Sequence, residues 1–350
     1  MKNIDLLLPF GLPHNEMAID LLRELKTPTL ATLVAHATAR PRRTFADFAR
    51  ALPHEGWLAT QLGLTRDPAV DGNLPVAIAA MRSFGLQADA GFWFMLQPVH
   101  IHVTRDHLVL TDLRQLALSE EESRVLFDVA KKVFEEAGKK ILYGDARTWF
   151  VRADDWAELT TATPDAACGH NADIWMPKGT GERMWRKLQN EVQMEWHFHS
   201  INEKREAAGI NPVNSVWLWG GAPATMQSAP LAYTHLVKPS LSLSALDRLI
   251  PQQIEANSAA DIIATNSAAA LMIFDQLVQH AFSQDWLEWL NRMHALDQNW
   301  LAPLLEGLKS GKVAQIRLIL THTTGLSEFI VSRNSLRKFW VKPSLARLAP

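Results

Sequence analysis

The stretch His199-Ser-Ile-Asn-Glu-Lys-Arg-Glu-Ala-Ala-Gly-Ile-Asn-Pro-Val-Asn-Ser-Val-Trp-Leu-Trp-Gly-Gly221 decides the fold. Its first half continues a helical pattern that begins near Glu182, with Met184, Leu188, Val192 and Trp196 down one side, a stripe suited to a core. Gly209 ends that helix, expected to run to about Ala208. Ser215 to Trp219 then reads as a buried strand, and it runs directly into Gly220, Gly221, Ala222 and Pro223. A strand opening into glycines is the kind of junction at which open α/β sheets place ligands.

Helices and strands alternate on both sides of this stretch, which points to an α/β class. Ile4 to Leu8 reads as a first buried strand, followed by helical spacing over Glu16 to Leu25 and Thr27 to Ala37. Thr27 is the candidate N-cap of the latter, with Pro28 at its first position. Turn chemistry makes Thr65 to Pro75 a loop, before a short helix at Val76 to Arg82. Val99 to Val103 and His107 to Thr111 flank a hairpin tip, and Ser119 with Glu122 signals a capping box for a helix reaching about Ala137. Lys140 to Tyr143 and Thr148 to Val151 read as strands, and Ala153 to Thr180 as irregular surface chain. Later come a helix near Ser244 to Asn257, a strand at Asp261 to Ala264 and a helix at Ala269 to Ala281. The helical period is strongest over Ser283 to Leu308, ahead of strands at Val313 to Leu320 and Ser327 to Val331.

Composition narrows the function classes. The 35 Lys plus Arg nearly cancel the 37 Asp plus Glu, so the chain as a whole offers no broad attraction for nucleic acid or anionic membrane. Cys168 is the only cysteine, which excludes an internal disulfide framework and thiolate clusters and fits a reducing compartment. The opening apolar run is too short for a secretory signal and no stretch is long enough to span a bilayer, so a cytoplasmic protein is expected. The 13 Trp fall where large rings fill cores. His100 and His102 lie two apart in a strand and share a face, half of a metal site or a partly solvated pair. Glu195, His197 and His199 could meet on one metal only if their helix ended early, because residues two apart on a helix diverge by about 200°.

The His199 to Gly221 stretch resembles, in order and spacing, a signature of archaeal-type cofactor-independent phosphoglycerate mutases of the alkaline phosphatase superfamily. It looks closer still to the bacterial RpfE-type regulatory proteins, which carry Asn-Ser-Leu-Trp-Leu-Trp-Gly-Gly in the same place. Lys26 to Leu30 is similar to the mutases' Thr-Pro-Asn-Leu helix start, Asp112 to Glu122 to the opening of their inserted domain, and Asp275 to Leu305 to their long late helix.

This resemblance implies an alkaline-phosphatase-like core sheet flanked by helices, built from residues 1–85 and 205–335. An α+β domain over 86–204 would be inserted between these segments, with a basic C-terminal tail at 336–350. It implies one sheet containing Ile4 to Leu8, Ser215 to Trp219 and Val313 to Leu320, with the 99–111 hairpin in the insert. In that superfamily two divalent metals sit on Asp and His ligands beside a Ser or Thr nucleophile. Here Pro9-Phe10-Gly11 stands where the family has Leu-Asp-Gly, the nucleophile loop matches Asp71-Gly72-Asn73-Leu74, and the late Asp-His pair appears as Thr321-His322-Thr323. Asp275, His280, Asp285 and His322 remain as metal candidates, too few carboxylates to offset two adjacent cations.

No metal or other cofactor is therefore expected. Manganese or zinc is expected only if the chain is an active 2,3-bisphosphoglycerate-independent phosphoglycerate mutase or a metal-dependent phosphohydrolase. The leading expectation is a regulatory or anionic-metabolite-binding protein, with Asn202, Arg205, Asn214, Gly220 and Gly221 lining its cleft. The competing reading of those residues is architectural, with the Asn side chains as caps and Arg205 paired to Glu203 or Glu206. A protein-interaction scaffold is the second alternative, since Arg333, Arg337, Lys338, Lys342 and Arg347 interleave with Phe339 and Trp340 in a run that suits an acidic protein partner. Nucleic acid and membrane are not expected partners.

Overall fold

The computed structural model describes residues 2–65, 74–227, 233, 235–238, 253–256, 258–264 and 269–350. Its strands are β1 (Lys2–Leu8), β2 (Thr38–Ala39), β3 (Arg43–Thr44), β4 (Phe92–Val99), β5 (Ile101–Val103), β6 (Leu108–Leu110) and β7 (Lys140–Asp145). They continue with β8 (Thr148–Arg152), β9 (Ser215–Pro223), β10 (His235–Lys238), β11 (Gln253–Glu255), β12 (Ala269–Ile273), β13 (Val313–Thr321) and β14 (Gly325–Ser332). The chain divides into two compact units, residues 1–47 with 231–350, and residues 48–230. These breaks fall at other places than the 85/86 and 204/205 boundaries expected from the resemblance.

In the first unit a mixed sheet runs β11-β10-β12-β1-β13-β14, with β2 and β3 both paired to β14. The strands from β11 to β13 are parallel, and β14 closes on β13 antiparallel. β1 lies at the centre, and Ile4, Leu6, Leu7 and Leu8 are fully buried, as a largely apolar strand in a parallel sheet covered on both faces requires, while the one acid in the run, Asp5, is buried against Tyr233 and Arg317. The same rule explains a correction. Ala269-Ala-Leu-Met-Ile273, expected to begin a helix, is a central parallel strand, and the expected strand at 261–264 is instead part of the helix Ala259–Ala264. Short apolar runs read either way from periodicity alone. The expected helix at 244–257 lies mostly outside the described residues, and its described part includes β11.

The late helical region runs Trp286–Leu296, a widened turn over Asp297–Leu301, then Ala302–Ser310. The widened turn faces Asp297 inward, where its carboxylate accepts from Leu30 N at 2.7 Å and Thr29 N at 3.2 Å. It thereby caps the helix Pro28–His36 from another element, work that Thr27 was expected to do. Thr27 Oγ1 is buried with no hydrogen-bond partner among the described residues.

In the second unit β7-β8-β4-β9 form an antiparallel sheet, and β5 and β6 pair as a separate two-stranded hairpin. β9 pairs with β4 from Val99↔Ser215 to Phe92↔Pro223 and does not join β1 and β13, which corrects the expected single sheet. The helices Glu120–Glu136 and Glu182–His197 cover one face of this sheet with Trp149, Trp156, Trp185 and Trp196 fully buried in the core. The expected single helix from Glu182 to Ala208 breaks at Phe198, and a new one, Ser200–Ala207, begins with His199 Nδ1 accepting from Ile201 N. The 153–180 stretch is irregular as expected but not superficial, since Trp156, Thr163 and Ala167 are buried.

Asp297→Ala should cost about 1–3 kcal/mol, because two helix N–H groups lose a buried carboxylate. Thr27→Val should change stability by less than about 0.5 kcal/mol, because the hydroxyl caps nothing. Urea unfolding of both variants checks this. The reverse order would return the cap to Thr27.

Candidate functional site

In an open α/β sheet the chemistry sits beyond the carboxyl ends of the parallel strands, here the ends of β1, β12 and β13. The chain leaves β1 through Pro9, Phe10 and Gly11. Phe10 is in the left-handed region, with φ 57°, where a non-glycine residue is strained by roughly 1–2 kcal/mol. Hydrogen bonds hold it there: Gly11 N donates to Leu8 O and Leu12 N to Thr321 O, and the Trp289 indole Nε1 donates to Phe10 O at 2.9 Å. Phe10 N reaches Thr321 Oγ1 at 3.3 Å. The Phe10 ring packs edge-on against Phe282, centroids 5.2 Å apart, and the residue is 6% exposed. The carboxyl end of β1 thus presents an apolar side chain at residue 10.

His322 is buried at the end of β13. Its Nδ1 accepts from Thr324 N at 3.2 Å, so in the neutral ring Nε2 carries the proton. The Nε2 edge lies over Gly325, where a Cβ would sit only 2.2 Å away, which explains why position 325 is glycine. Burial, with Arg42 and His14 nearby, holds the ring neutral by depressing its pKa to about 4. Asp275 follows β12 and is half-buried, His280 lies one turn on, and exposed Asp285 caps the helix Trp286–Leu296 by accepting from Glu288 N. Among the described residues no three His, Cys, Asp or Glu side chains converge on a point that would suit a metal ion. Phe10, Thr321 and an imidazole turned onto its own chain do not supply the anionic donors that a pair of divalent cations needs. Asp71, Gly72 and Asn73 of the expected nucleophile loop lie outside the described residues.

The expected cleft residues all lie in the second unit. Asn202 Nδ2 donates to Trp196 O and Val213 O, and its Oδ1 accepts from Val213 N, each at 2.9 Å. Arg205 is 2% exposed; Nε donates to Asn211 O, Nη1 to both oxygens of Glu122 at 3.1 Å, and Nη2 to Leu116 O. Glu122, not Glu203 or Glu206, is therefore its carboxylate partner. Asn214 exchanges two bonds with the backbone of Ile101, at 2.7 and 2.9 Å. Gly220, with φ 76°, lies so close to Val76 that a Cβ would approach its methyl at 2.8 Å, and a Cβ on Gly221 would strike the rings of Phe94 and Phe92. The structure thus joins Asn202 and Arg205 through the 211–213 loop, while Asn214 and the glycines sit along β9.

The other paired candidates stay apart from any ligand set. His100 Nδ1 bonds Pro212 O at 2.8 Å while His102 is exposed, and Glu195 and His197 are exposed on their helix.

Sequence reading missed a buried polar cluster. Arg114 grips Asp165 through both terminal nitrogens, at 3.0 and 2.5 Å, and Asp112 at 2.7 Å. Glu55 Oε2 accepts from Leu52 N and from Thr163 Oγ1 at 2.6 Å. Burial, reinforced by Asp165, pushes the Glu55 carboxyl up to about 8, and burial also raises the Cys168 thiol, so neither is charged at neutral pH. Residues 55, 112–114 and 163–168 are too far apart in sequence for spacing to have signalled them. A thiol held protonated is not an activated nucleophile.

No family model matches the chain. Over 204 residues it is 24% identical to the 2,3-bisphosphoglycerate-independent phosphoglycerate mutase of Methanosarcina mazei, covering 57% of this chain and 49% of that protein. Over 207 residues it is 28% identical to a probable enzyme of the same name from Geobacter sulfurreducens, covering 57% and 51%. This is distant homology to cofactor-independent phosphoglycerate mutases. The chain spans about half the length of these curated relatives. Among solved structures, the PH0037 protein from Pyrococcus horikoshii matches with a TM-score of 0.56 and 11% identity, covering 95% of this chain and 87% of that one, a likeness of fold.

Arg205→Ala should lower stability by about 3 kcal/mol, since it strands buried carbonyls and Glu122, and Arg205→Lys should not restore it, because one ammonium cannot reach those partners together. A loss under about 1 kcal/mol in urea unfolding would contradict this and return Arg205 to the surface. For Glu55, the folded chain keeps a proton that the unfolded chain releases above its ordinary pKa of 4.5. Stability should therefore fall as pH rises from about 4.5 to about 8. Glu55→Gln, which stays neutral, should flatten that part of the melting-temperature profile; an unchanged slope would assign it to other groups.

Proposed function

We propose that this is a phosphoglycerate-mutase-like protein that has given up the metal chemistry of its relatives and works as a regulatory protein of the RpfE type. The observation that carries this reading is Phe10. A left-handed backbone at the carboxyl end of the central strand is a costly geometry, and such outliers persist where a site once needed or still needs them. Here the strained position presents a ring packed on Phe282, with its carbonyl satisfied by Trp289. A residue that served only to close the turn would be glycine, which occupies left-handed positions without cost.

The His322 tautomer supports the same reading, because a ring whose Nδ1 accepts from its own loop and whose Nε2 covers Gly325 has no lone pair to offer outward. In this account the His199 to Gly221 signature serves architecture. Asn202, Arg205 and Asn214 spend their hydrogen bonds on fixing the path from the helix Ser200–Ala207 into β9, so regulation does not require an anionic metabolite at that motif.

The purified protein should hold no stoichiometric manganese, zinc or magnesium by elemental analysis. It should also fail to interconvert 3- and 2-phosphoglycerate, with or without added Mn²⁺. Stoichiometric tightly held metal together with turnover would overturn the proposal and support the mutase reading.

A further inference from the structure

The segment after β14 carries a feature that packing does not explain. The backbone closes a tight turn, Val341 N donating to Lys338 O at 3.0 Å, which puts Phe339 and Trp340 at its two central positions. Turn centres favour Gly, Asn, Asp and Pro, which supply the backbone angles or local hydrogen bonds a turn needs, and two large aromatic rings supply neither. Phe339 is nonetheless 90% exposed and Trp340 68% exposed, their rings in edge contact at 5.1 Å.

The turn is firmly held. Before it, Ser335 bonds both Ser332 N and Ser332 O. After it, Ser344 N donates to Ala31 O, Arg347 Nη1 to Val34 O and Ala37 O, and Leu348 is buried. Arg42 binds the Leu348 and Ala349 carbonyls. Arg337 and Lys338 immediately precede the two rings in the chain and Lys342 follows them, all three exposed and without an ion-pair partner among the described residues. The sequence from 333 to 350 contains no Asp or Glu. The chain's near-neutral total charge therefore conceals a local cationic patch with an aromatic tip.

We propose that this turn docks the protein on an anionic lipid surface, the Phe339 and Trp340 rings entering the headgroup layer while Arg337, Lys338 and Lys342 meet lipid phosphates. Rings that protrude, rather than line a groove, suit a fluid partner that needs no complementary shape. Tryptophan is favoured at the membrane–water interface, where its ring is apolar and its N–H is wet. Lys and Arg beside such rings add attraction to anionic leaflets that is screened within about a Debye length, roughly 8 Å at physiological salt. No described helix is long and apolar enough to cross a membrane, so attachment by this route is peripheral and reversible.

Flotation of the full chain with phosphatidylcholine vesicles containing phosphatidylglycerol, against pure phosphatidylcholine, tests this. The wild type should float with the anionic vesicles at low salt and be released as salt rises. The double variant Phe339→Ala, Trp340→Ala and the double variant Arg337→Glu, Lys338→Glu should each lose partition by about tenfold or more. Both should keep the wild-type circular dichroism and melting temperature, since the four side chains are exposed. The proposal is overturned if the wild type stays in the aqueous phase, if neutral vesicles capture it equally, or if both variants float as well as the wild type. Binding to an acidic polypeptide such as polyglutamate without binding to vesicles would likewise overturn it in favour of a protein partner.

Discussion

The turn from β1 through Phe10 is the constraint on which the functional account rests. A parallel strand at the centre of a sheet must leave it without colliding with its neighbours, and here the chain does so by reversing over Gly11, whose missing side chain lets it lie against Leu8. That reversal puts residue 10 at a positive φ and points it across the ends of the strands. Whatever stands there controls the edge. The Phe10 ring packs on Phe282, and its backbone is held by Thr321 Oγ1 at the N–H and by the indole of Trp289 at the carbonyl. The roughly 1–2 kcal/mol of backbone strain is offset by burial of the ring, worth about 1.5–3 kcal/mol.

A second economy of the fold is that distant polar groups terminate elements. Asp297 caps a helix whose first-turn N–H groups lie 267 and 268 positions earlier in the chain. Arg205 stitches the 116–122 segment to the 211 loop, and Asn214 clips Ile101 to the start of β9. Each side chain replaces water at backbone groups that would otherwise be buried unsatisfied, a cost of about 1–3 kcal/mol apiece. A conspicuous motif can therefore be specific in spacing because it fixes a path, with no ligand involved.

Much of the secondary structure was legible from local signals. The Ser119–Glu122 capping box, the 99–111 hairpin, the strong helical period after Trp286 and the strands β13 and β14 all stand where spacing puts them. What failed was non-local. β9 looks like any buried strand, and nothing in Ser-Val-Trp-Leu-Trp says that β4 rather than β1 is its neighbour. Ala269 to Ile273 satisfies both periods, and the break at Phe198 depends on Asn202 reaching back to Trp196. At the candidate site, the expectation of missing ligands at Phe10 and Thr321 rested on resemblance alone. The tautomer of His322 and the Arg114–Asp165–Glu55 cluster needed three-dimensional contacts.

The central claim is that the carboxyl edge of β1 and β13 is closed by apolar packing and by an imidazole committed to its own chain. Nitrogen-15 NMR of His322, recorded with and without excess Zn²⁺, addresses it most directly. The account predicts a neutral ring protonated on Nε2 at pH 7, with shifts unmoved by the metal. A ring protonated on Nδ1, or a zinc-dependent change at Nε2, would contradict it.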